Sequence, residues 1–422
     1  MAGEKLETVA IVKEEAGPNI KNFTDFWSFL KKELKPKGNI ATPFNIISVP
    51  IIITGLVLII IRFAFGLGAT TNLTQEFPWG VWIGFDVVVG VAFAAGGYVL
   101  AFMVYVLGME KYRPVLRATV LNSFLAYVFY AGAIMLDIGR WWNGVNAFLG
   151  REFGVSSVMF IVAWHFLLYM LTLALEVSPV VAEWLGMKRL RKTLGGLTLG
   201  AVVFGVMLSI HHQSGLGALF TMAKAKIHPL WYSEFIPILF FVSSVYSGLS
   251  LVIFEGAISH KVFGHQISEE NHHAYPDILA GLARICAGVM FCSFFLNFFM
   301  VHHEGELVLL NTPMGYWFLI EMIGLLLIPC FLFVSGAQRK NIPLIRFAAI
   351  LSLFGIIINR LNYSFIAYNW YVPFTQKYTP SWMEIMITLT IIFIEIWVFR
   401  WMVNRMPVIQ KSPEWVKAIE KH

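Results

Sequence analysis

Asp86, His165, Glu176, Arg284 and Arg360 stand inside stretches otherwise apolar enough to lie in a bilayer. An ionisable group in hydrocarbon costs several kcal/mol unless it is paired or wetted, so several of them in one bundle mark a pathway or a reactive site. If the second apolar stretch enters from the outside, Asp86 lies ~10 Å below its outer end. His165 reaches a comparable depth on the fourth stretch. Ser209, His211, His212 and Gln213 close the fifth, Asn297, His302, His303 and Glu304 close the seventh, Glu321 enters on the eighth, and Asn359, Arg360 and Asn362 leave on the ninth. The expectation is a polar pocket in the outer half of the membrane. His165, Tyr169, Thr172 and Glu176 follow at spacings of four, three and four, which puts them on one helical face. That stripe suits either a proton relay running inward or plain interhelical hydrogen bonding, and Arg284 is the expected counter-charge of Glu176.

The elements that position these groups follow from composition. With 58% hydrophobic and only 13% charged residues in 422, the chain is a polytopic membrane protein rather than a soluble domain. A span needs ~20 apolar residues. That ruler predicts an all-α protein of about ten helices near 43–66, 79–107, 116–138, 155–181, 194–214, 231–256, 276–301, 314–336, 343–363 and 381–404. Trp79, Trp82, Trp141, Trp142, Trp231, Tyr232, Trp370, Tyr371 and Trp382 stand at segment ends, as interfacial aromatic belts do. No ten-residue alternation of the β-barrel kind is present. The second span carries Gly90, Ala94, Ala95, Gly96 and Gly97, small residues that let helices approach closely or leave room for a flat ligand.

Lys and Arg concentrate before the first span, after the even-numbered spans and at the end of the chain, which by the positive-inside rule places both termini in the cytoplasm. The net charge of +6 reflects that bias and implies no nucleic-acid partner. Residues 1–42 read as a cytoplasmic arm, 43–406 as the transmembrane domain and 407–422 as a cytoplasmic tail. The N-terminus lacks the apolar core of a signal peptide. Residues 23–34 read equally as an interfacial amphipathic helix or a solvated arm.

Cys286, Cys292 and Cys330 form no cluster-binding or haem-attachment motif, so intrinsic iron–sulfur clusters and covalent haem are not expected. Neither a Walker motif nor a dinucleotide fingerprint is present. Of eleven histidines only His165 is clearly in mid-span, whereas paired b-type haem needs imidazoles deep on facing helices; intrinsic haem is therefore not expected. His260, His265, His272 and His273 share one loop without a zinc-type spacing, and no metal site is expected.

Three separated motifs carry a resemblance. The run Pro78-Trp79-Gly80-Val81-Trp82-Ile83-Gly84-Phe85-Asp86-Val87 with Ala94-Ala95-Gly96-Gly97, the segment Ser209-Ile210-His211-His212-Gln213-Ser214-Gly215-Leu216-Gly217, and Asn359-Arg360-Leu361-Asn362 resemble the NrfD/PsrC family, particularly its ten-helix HybB-type branch. The resemblance implies a quinone-binding membrane subunit of a bacterial inner-membrane redox complex, with menaquinone or a related quinone as exchangeable substrate. It implies two four-helix bundles, helices two to five and six to nine, with helices one and ten flanking. It also implies an iron–sulfur protein docked on the periplasmic face, with a multihaem cytochrome c, a molybdopterin-like subunit or a hydrogenase beyond it. Trp79, Trp82, Asp86, His211, His212, Asn359 and Arg360 are then expected at the quinone. Asp86 with His165 or His212 would exchange protons, and Arg360 would stabilise negative charge. His211 departs from the family pattern by preceding the histidine of the motif, which maps onto His212. The alternatives are a b-type haem anchor and a secondary transporter, the latter favouring broken helices in inverted repeats.

Overall fold

The computed structural model describes residues 22–36, 39–150, 154–413 and 415–416. Among them no strand forms, and one isolated antiparallel bridge joins Ile227 to Tyr368. A short helix, α1 (Phe23–Glu33), opens on an Asn22 cap, and its Phe29 ring packs on Trp184 at 5.0 Å. Ten helices long and apolar enough to cross a membrane follow: α2 (Pro43–Phe65), α3 (Trp82–Val106), α4 (Glu110–Asp137), α5 (Val158–Trp184), α6 (Lys188–Thr221), α7 (Ile236–Gln266), α8 (Glu269–His303), α9 (Pro313–Gln338), α10 (Ile342–Ile366) and α11 (Trp382–Val403).

Each predicted span has its helix. The bounds differ where helices outrun their apolar stretch: α6 and α8 extend several residues beyond it on the basic side, because polar residues continue a helix once the chain has left hydrocarbon. The sixth span starts at Ile236 rather than at Trp231, since the chain before it folds inward and buries that tryptophan. Trp82 and Trp231, expected in the interfacial belt, are each only 1% exposed, because their indole N–H groups have polar partners inside. Trp141, Trp142, Trp370 and Trp382 are exposed as a belt requires.

Contacts between helices divide the spans into one bundle of α3–α6 and a second of α7–α10. α2 and α11 lie together against α4. Because successive spans alternate in direction, α3 and α7 both start on the side opposite the basic loops, and the bundles are parallel. The central helix is α3, which touches α4, α6, α7, α10 and α11. Its small residues make that possible: a Cβ on Gly248 of α7 would stand 2.2 Å from the Gly96 amide nitrogen, so the two backbones meet with no side chain between them.

Wide π-helical turns interrupt three of these helices, at Trp82–Val89 and Phe102–Val106 in α3, Ile320–Leu327 in α9 and Asn362–Ile366 in α10. Such turns shift the hydrogen-bond ladder and redirect side chains, and they gather at functional sites. Here they hold Asp86, Glu321 and Asn362.

Candidate functional site

The expected single pocket resolves into three buried polar clusters. The first lies between α3 and α11. The wide turn at the start of α3 aims both Trp82 and Asp86 at α11: Trp82 Nε1 donates to the Glu384 carbonyl at 3.2 Å, and Thr388 Oγ1 donates to Asp86 Oδ2 at 2.9 Å. Tyr378, in the loop before α11, donates to Glu384 Oε1 at 2.5 Å and accepts from the Val81 amide at 3.1 Å, pinning the start of α3. Burial and the adjacent Glu384 carboxylate raise its phenol above the ordinary tyrosine range.

The second cluster belongs to the α7–α10 bundle. Glu321 accepts from Asn359 Nδ2 on one oxygen, at 2.6 Å, and on the other from Trp231 Nε1 and Asn362 Nδ2, at 2.8 and 2.6 Å. Arg360 donates to Asn359 Oδ1 and to Ser243 Oγ, both at 2.7 Å, and its guanidinium lies 3.7 Å over the Phe240 ring. A cavity of about 20 Å³ opens beside Glu321, Asn359, Ser243 and Asn297, enough for one water.

The third cluster lies inside the α3–α6 bundle. The His212 ring packs between Tyr127 and Phe166, at 5.8 and 5.4 Å, and Tyr169 meets Tyr127 edge-on at 4.8 Å. Both ring nitrogens of His212, the hydroxyls of Tyr127 and Tyr169 and the Ser209 hydroxyl are buried without a hydrogen bond of ordinary geometry, Ser209 lying near both phenols and His212 near the Val162 backbone. Next to them Gln213 fastens α6 to α3 through a 2.8 Å bond from its Nε2 to the Val91 carbonyl. His212 faces the interior, whereas His211 is exposed and stacks on half-buried His165 at 5.1 Å with 18° between the planes.

Aromatic contacts join the clusters. Trp79 packs on Phe220 and Tyr368, at 5.2 and 5.7 Å, and Phe220 in turn meets Phe240 and Tyr363, which leads from α6 to the ring beneath Arg360. On α4, Tyr127 touches His212, while Tyr130 lies against Gly90, one turn below Asp86.

The stripe on α5 is partly as expected. Thr172 and Glu176 face α6, with Thr172 Oγ1 and Glu176 Oε1 at 3.1 and 3.3 Å from where a Gly205 Cβ would stand, although Thr172 also bonds its own helix at the Tyr169 carbonyl. Arg284 is exposed on α8 and makes no ion pair with Glu176: a shared depth in the inner half does not bring the two together, because their helices belong to different bundles. Glu176 instead lines a cavity of about 380 Å³ on the basic side, together with Arg113, Arg117 and Arg191. Tyr127, Thr388 and Glu384 join these clusters without being expected from the sequence. Asn122, Tyr127 and Tyr130 within one apolar stretch were the available signal for the first of these.

Among the described residues no group of three or more His, Cys, Asp or Glu side chains could hold a metal ion. Cys286 and Cys330 are buried as expected of small hydrophobes, and Cys292 is exposed.

A family model for "Polysulphide reductase, NrfD" matches residues 69–372. The chain is 40% identical over 380 residues to a protein of Nitratidesulfovibrio vulgaris, covering 90% of this chain and 98% of that one. It is 31% identical over 371 residues to the probable Ni/Fe-hydrogenase 2 b-type cytochrome subunit of Escherichia coli, covering 85% and 91%. With the integral membrane subunit of menaquinone reductase from N. vulgaris it shares 27% identity over 343 residues, 76% and 80% of the two chains.

Proposed function

The chain belongs to the polysulphide reductase NrfD family, and from that premise we propose that it is the quinone-binding membrane subunit of a multi-subunit respiratory oxidoreductase. Electrons pass between a quinone, menaquinone by analogy with the menaquinone reductase relative, and an iron–sulfur partner docked on the outer side. The basic side faces the cytoplasm of a bacterial inner membrane, with both termini there. The subunit works only with its partners.

The observation that carries this reading is His212, buried to 1% exposure with neither ring nitrogen in a hydrogen bond of ordinary geometry, beside the similarly placed hydroxyls of Tyr127, Tyr169 and Ser209. Buried polar atoms call for hydrogen bonds. A quinone supplies carbonyl acceptors, takes up two electrons with two protons when bound, and offers an apolar ring to Phe166 and Tyr127. The imidazole N–H donates to a carbonyl, and the second ring nitrogen gives the same side chain a way to hand a proton on. Ser209, Tyr127 and Tyr169 extend the path toward Thr172 and Glu176. Asp86 exchanges protons on the outer side through Thr388. Arg360, held by Asn359, Ser243 and Phe240, sets a positive potential where negative charge gathers, and Trp79 walls the junction of the bundles.

The E. coli relative's name raises b-type haem. A haem would be held by imidazole nitrogens brought to it from facing helices. The closest histidine pair in the spans, His165 and His211, lies nearly face to face instead, which does not fit that ligation, and no step is assigned to haem.

The test is fluorescence titration of the purified complex with a fluorescent quinol analogue. Saturable quenching is expected for the native chain. In His212→Phe, which keeps an aromatic ring against Tyr127, binding is expected to weaken at least tenfold, about 1.4 kcal/mol; Asp86→Asn is expected to keep binding and lose turnover. Native affinity in a folded His212→Phe variant would remove His212 from the site.

A further inference from the structure

The helix ahead of the first span, α1, has no part in the quinone reading, and its side chains sort into three sectors. Phe29 and Glu33 face the spans: the Phe29 ring packs on Trp184 at 5.0 Å, and the buried Glu33 carboxylate stands 3.6 Å from Arg405 Nε. Thr24, Ser28 and Lys32 form a second sector, polar and exposed, with Asp25 of the first turn beside it. Phe23, Trp27 and Leu34 form a third, exposed and wholly apolar. At about 3.6 residues per turn the three sectors stand roughly 120° apart. Half-buried Phe26 and Leu30 fill the arc between the first sector and the third, so the apolar stripe of the helix is wider than the spans cover.

The contacts of α1 fix its level. Trp184 is the last residue of α5, and its ring meets Trp401, in the last turn of α11, at 5.9 Å. Arg405, just past the end of α11, donates to the carbonyls of Glu33 and Lys35, the latter at 2.9 Å. α1 is therefore level with the basic-side ends of two spans, where hydrocarbon gives way to headgroups. The chain beyond it enters hydrocarbon at Pro43.

We propose that α1 lies in the interface of the bilayer leaflet on the basic side, with Phe23, Trp27 and Leu34 sunk at the boundary between headgroups and acyl chains. Trp, Phe and Leu on one face with Lys on the other is the composition of such a helix. Lys31 stands on the seam between the apolar and polar sectors, its ammonium 5.7 Å over the Trp27 ring, so the stem follows the apolar surface while the charge stays among headgroups. Lys31 and Lys32 in the last turn place positive charge where an anionic leaflet attracts it. Lipid is also the occupant already required at this level, because Ile46 and Ile47 near the start of α2 are exposed in the same way. On an arm in water the three apolar side chains of α1 would stand in solvent beside a polar sector that faces the same way; here the two sectors part, one toward lipid and one toward the aqueous side.

The assembled complex in its native membrane tests this with a photoreactive benzoylphenylalanine in place of Trp27 and, in a second variant, in place of Ser28, its neighbour on the polar sector. Both positions are exposed, so the helix and its contacts with Trp184 and Arg405 stay as they are. After illumination, mass spectrometry should find phospholipid adducts at position 27 in about tenfold excess over position 28. Equal lipid adducts at the two positions overturn the proposal, as does an assembled complex with no lipid adduct at position 27, which would mark a solvated arm. Adducts of position 27 to another protein in place of lipid overturn it too and would make the apolar sector a protein-docking face.

Discussion

Glu321 shows how a carboxylate persists at depth in this protein: three side-chain N–H donors converge on its two oxygens, from Trp231, Asn359 and Asn362. Asn359 then accepts from Arg360, so the acid and the base are joined through an amide rather than directly. The sequence displays all of these residues but not their pairing, because Trp231 precedes α7 and looks like an interfacial anchor until the loop folds inward. Asp86 was visible for the same reason, as a charge in an apolar run, while its partner Thr388 was not, since nothing in a single sequence says that α11 lies beside α3. His228 gives a residue-level test outside the spans. It packs on Trp370 at 4.8 Å, its Nδ1 accepts from the Leu230 amide at 3.2 Å, and burial pushes its imidazole down to about 4. The neutral ring is therefore the folded form. Between pH 6.5 and 4 the unfolded chain takes up a proton that the folded chain refuses, so stability is full above 6.5 and falls with pH through that window, by on the order of 3 kcal/mol. The native melting temperature should drop more between pH 7 and 4.5 than that of His228→Gln. Parallel curves would show that His228 does not govern this loss.

At the level of elements, the ten helices were legible because hydrocarbon imposes both length and composition, and no soluble-core packing competes with that signal. The wide turns in α3, α9 and α10 were not, since a shifted ladder leaves the residue types unchanged; only the clustering of Asp86, Glu321 and Asn362 within them gives it meaning. The small-residue stretch of α3 left two readings open, close packing or space for a flat ligand. At Gly96 close packing holds: a Cβ on Gly248 would meet Gly96 N at 2.2 Å and Gly96 Cα at 2.8 Å, backbone atoms that cannot swing aside. Gly248→Ala is thus expected to pry the two bundles apart at α3 and α7 and to cost about 1–3 kcal/mol or more. Gly288→Ala on α8, where nothing lies within 4 Å, should be close to neutral. Thermal unfolding of the two variants beside the native protein separates the cases, and equal melting temperatures would mean that the α3–α7 seam yields without strain.

Across the whole molecule, two parallel bundles share one central helix, and their polar interiors are unlike. In the α7–α10 bundle Glu321 has both oxygens bonded and Arg360 lacks a partner only at Nε, whereas in the α3–α6 bundle the ring nitrogens of His212 and the hydroxyls of Tyr127, Tyr169 and Ser209 make no hydrogen bond of ordinary geometry. Protons move along hydrogen bonds, so these groups form a relay once a quinone oxygen or water joins them. The α3–α6 interior continues through Thr172 and Glu176 to the cavity on the basic side, so a proton consumed at His212 can be drawn from that side rather than from the outer face. Helical spacing makes the Tyr169–Thr172–Glu176 part of this column legible in the sequence, whereas His165 packs on His211 at the α5–α6 seam, and Tyr127 carries no such signal because it belongs to another helix. If the column carries protons, quinone reduction by the complex in proteoliposomes should alkalinise the compartment facing the basic side. Glu176→Gln, which keeps shape and removes the titrating group, should then slow turnover about a hundredfold and abolish the pH change while quinol-analogue affinity stays native. An unchanged pH signal in that variant would reassign proton exchange to the outer side, where Asp86 and Thr388 are the remaining candidates. The subunit would then pass electrons without moving charge across the membrane.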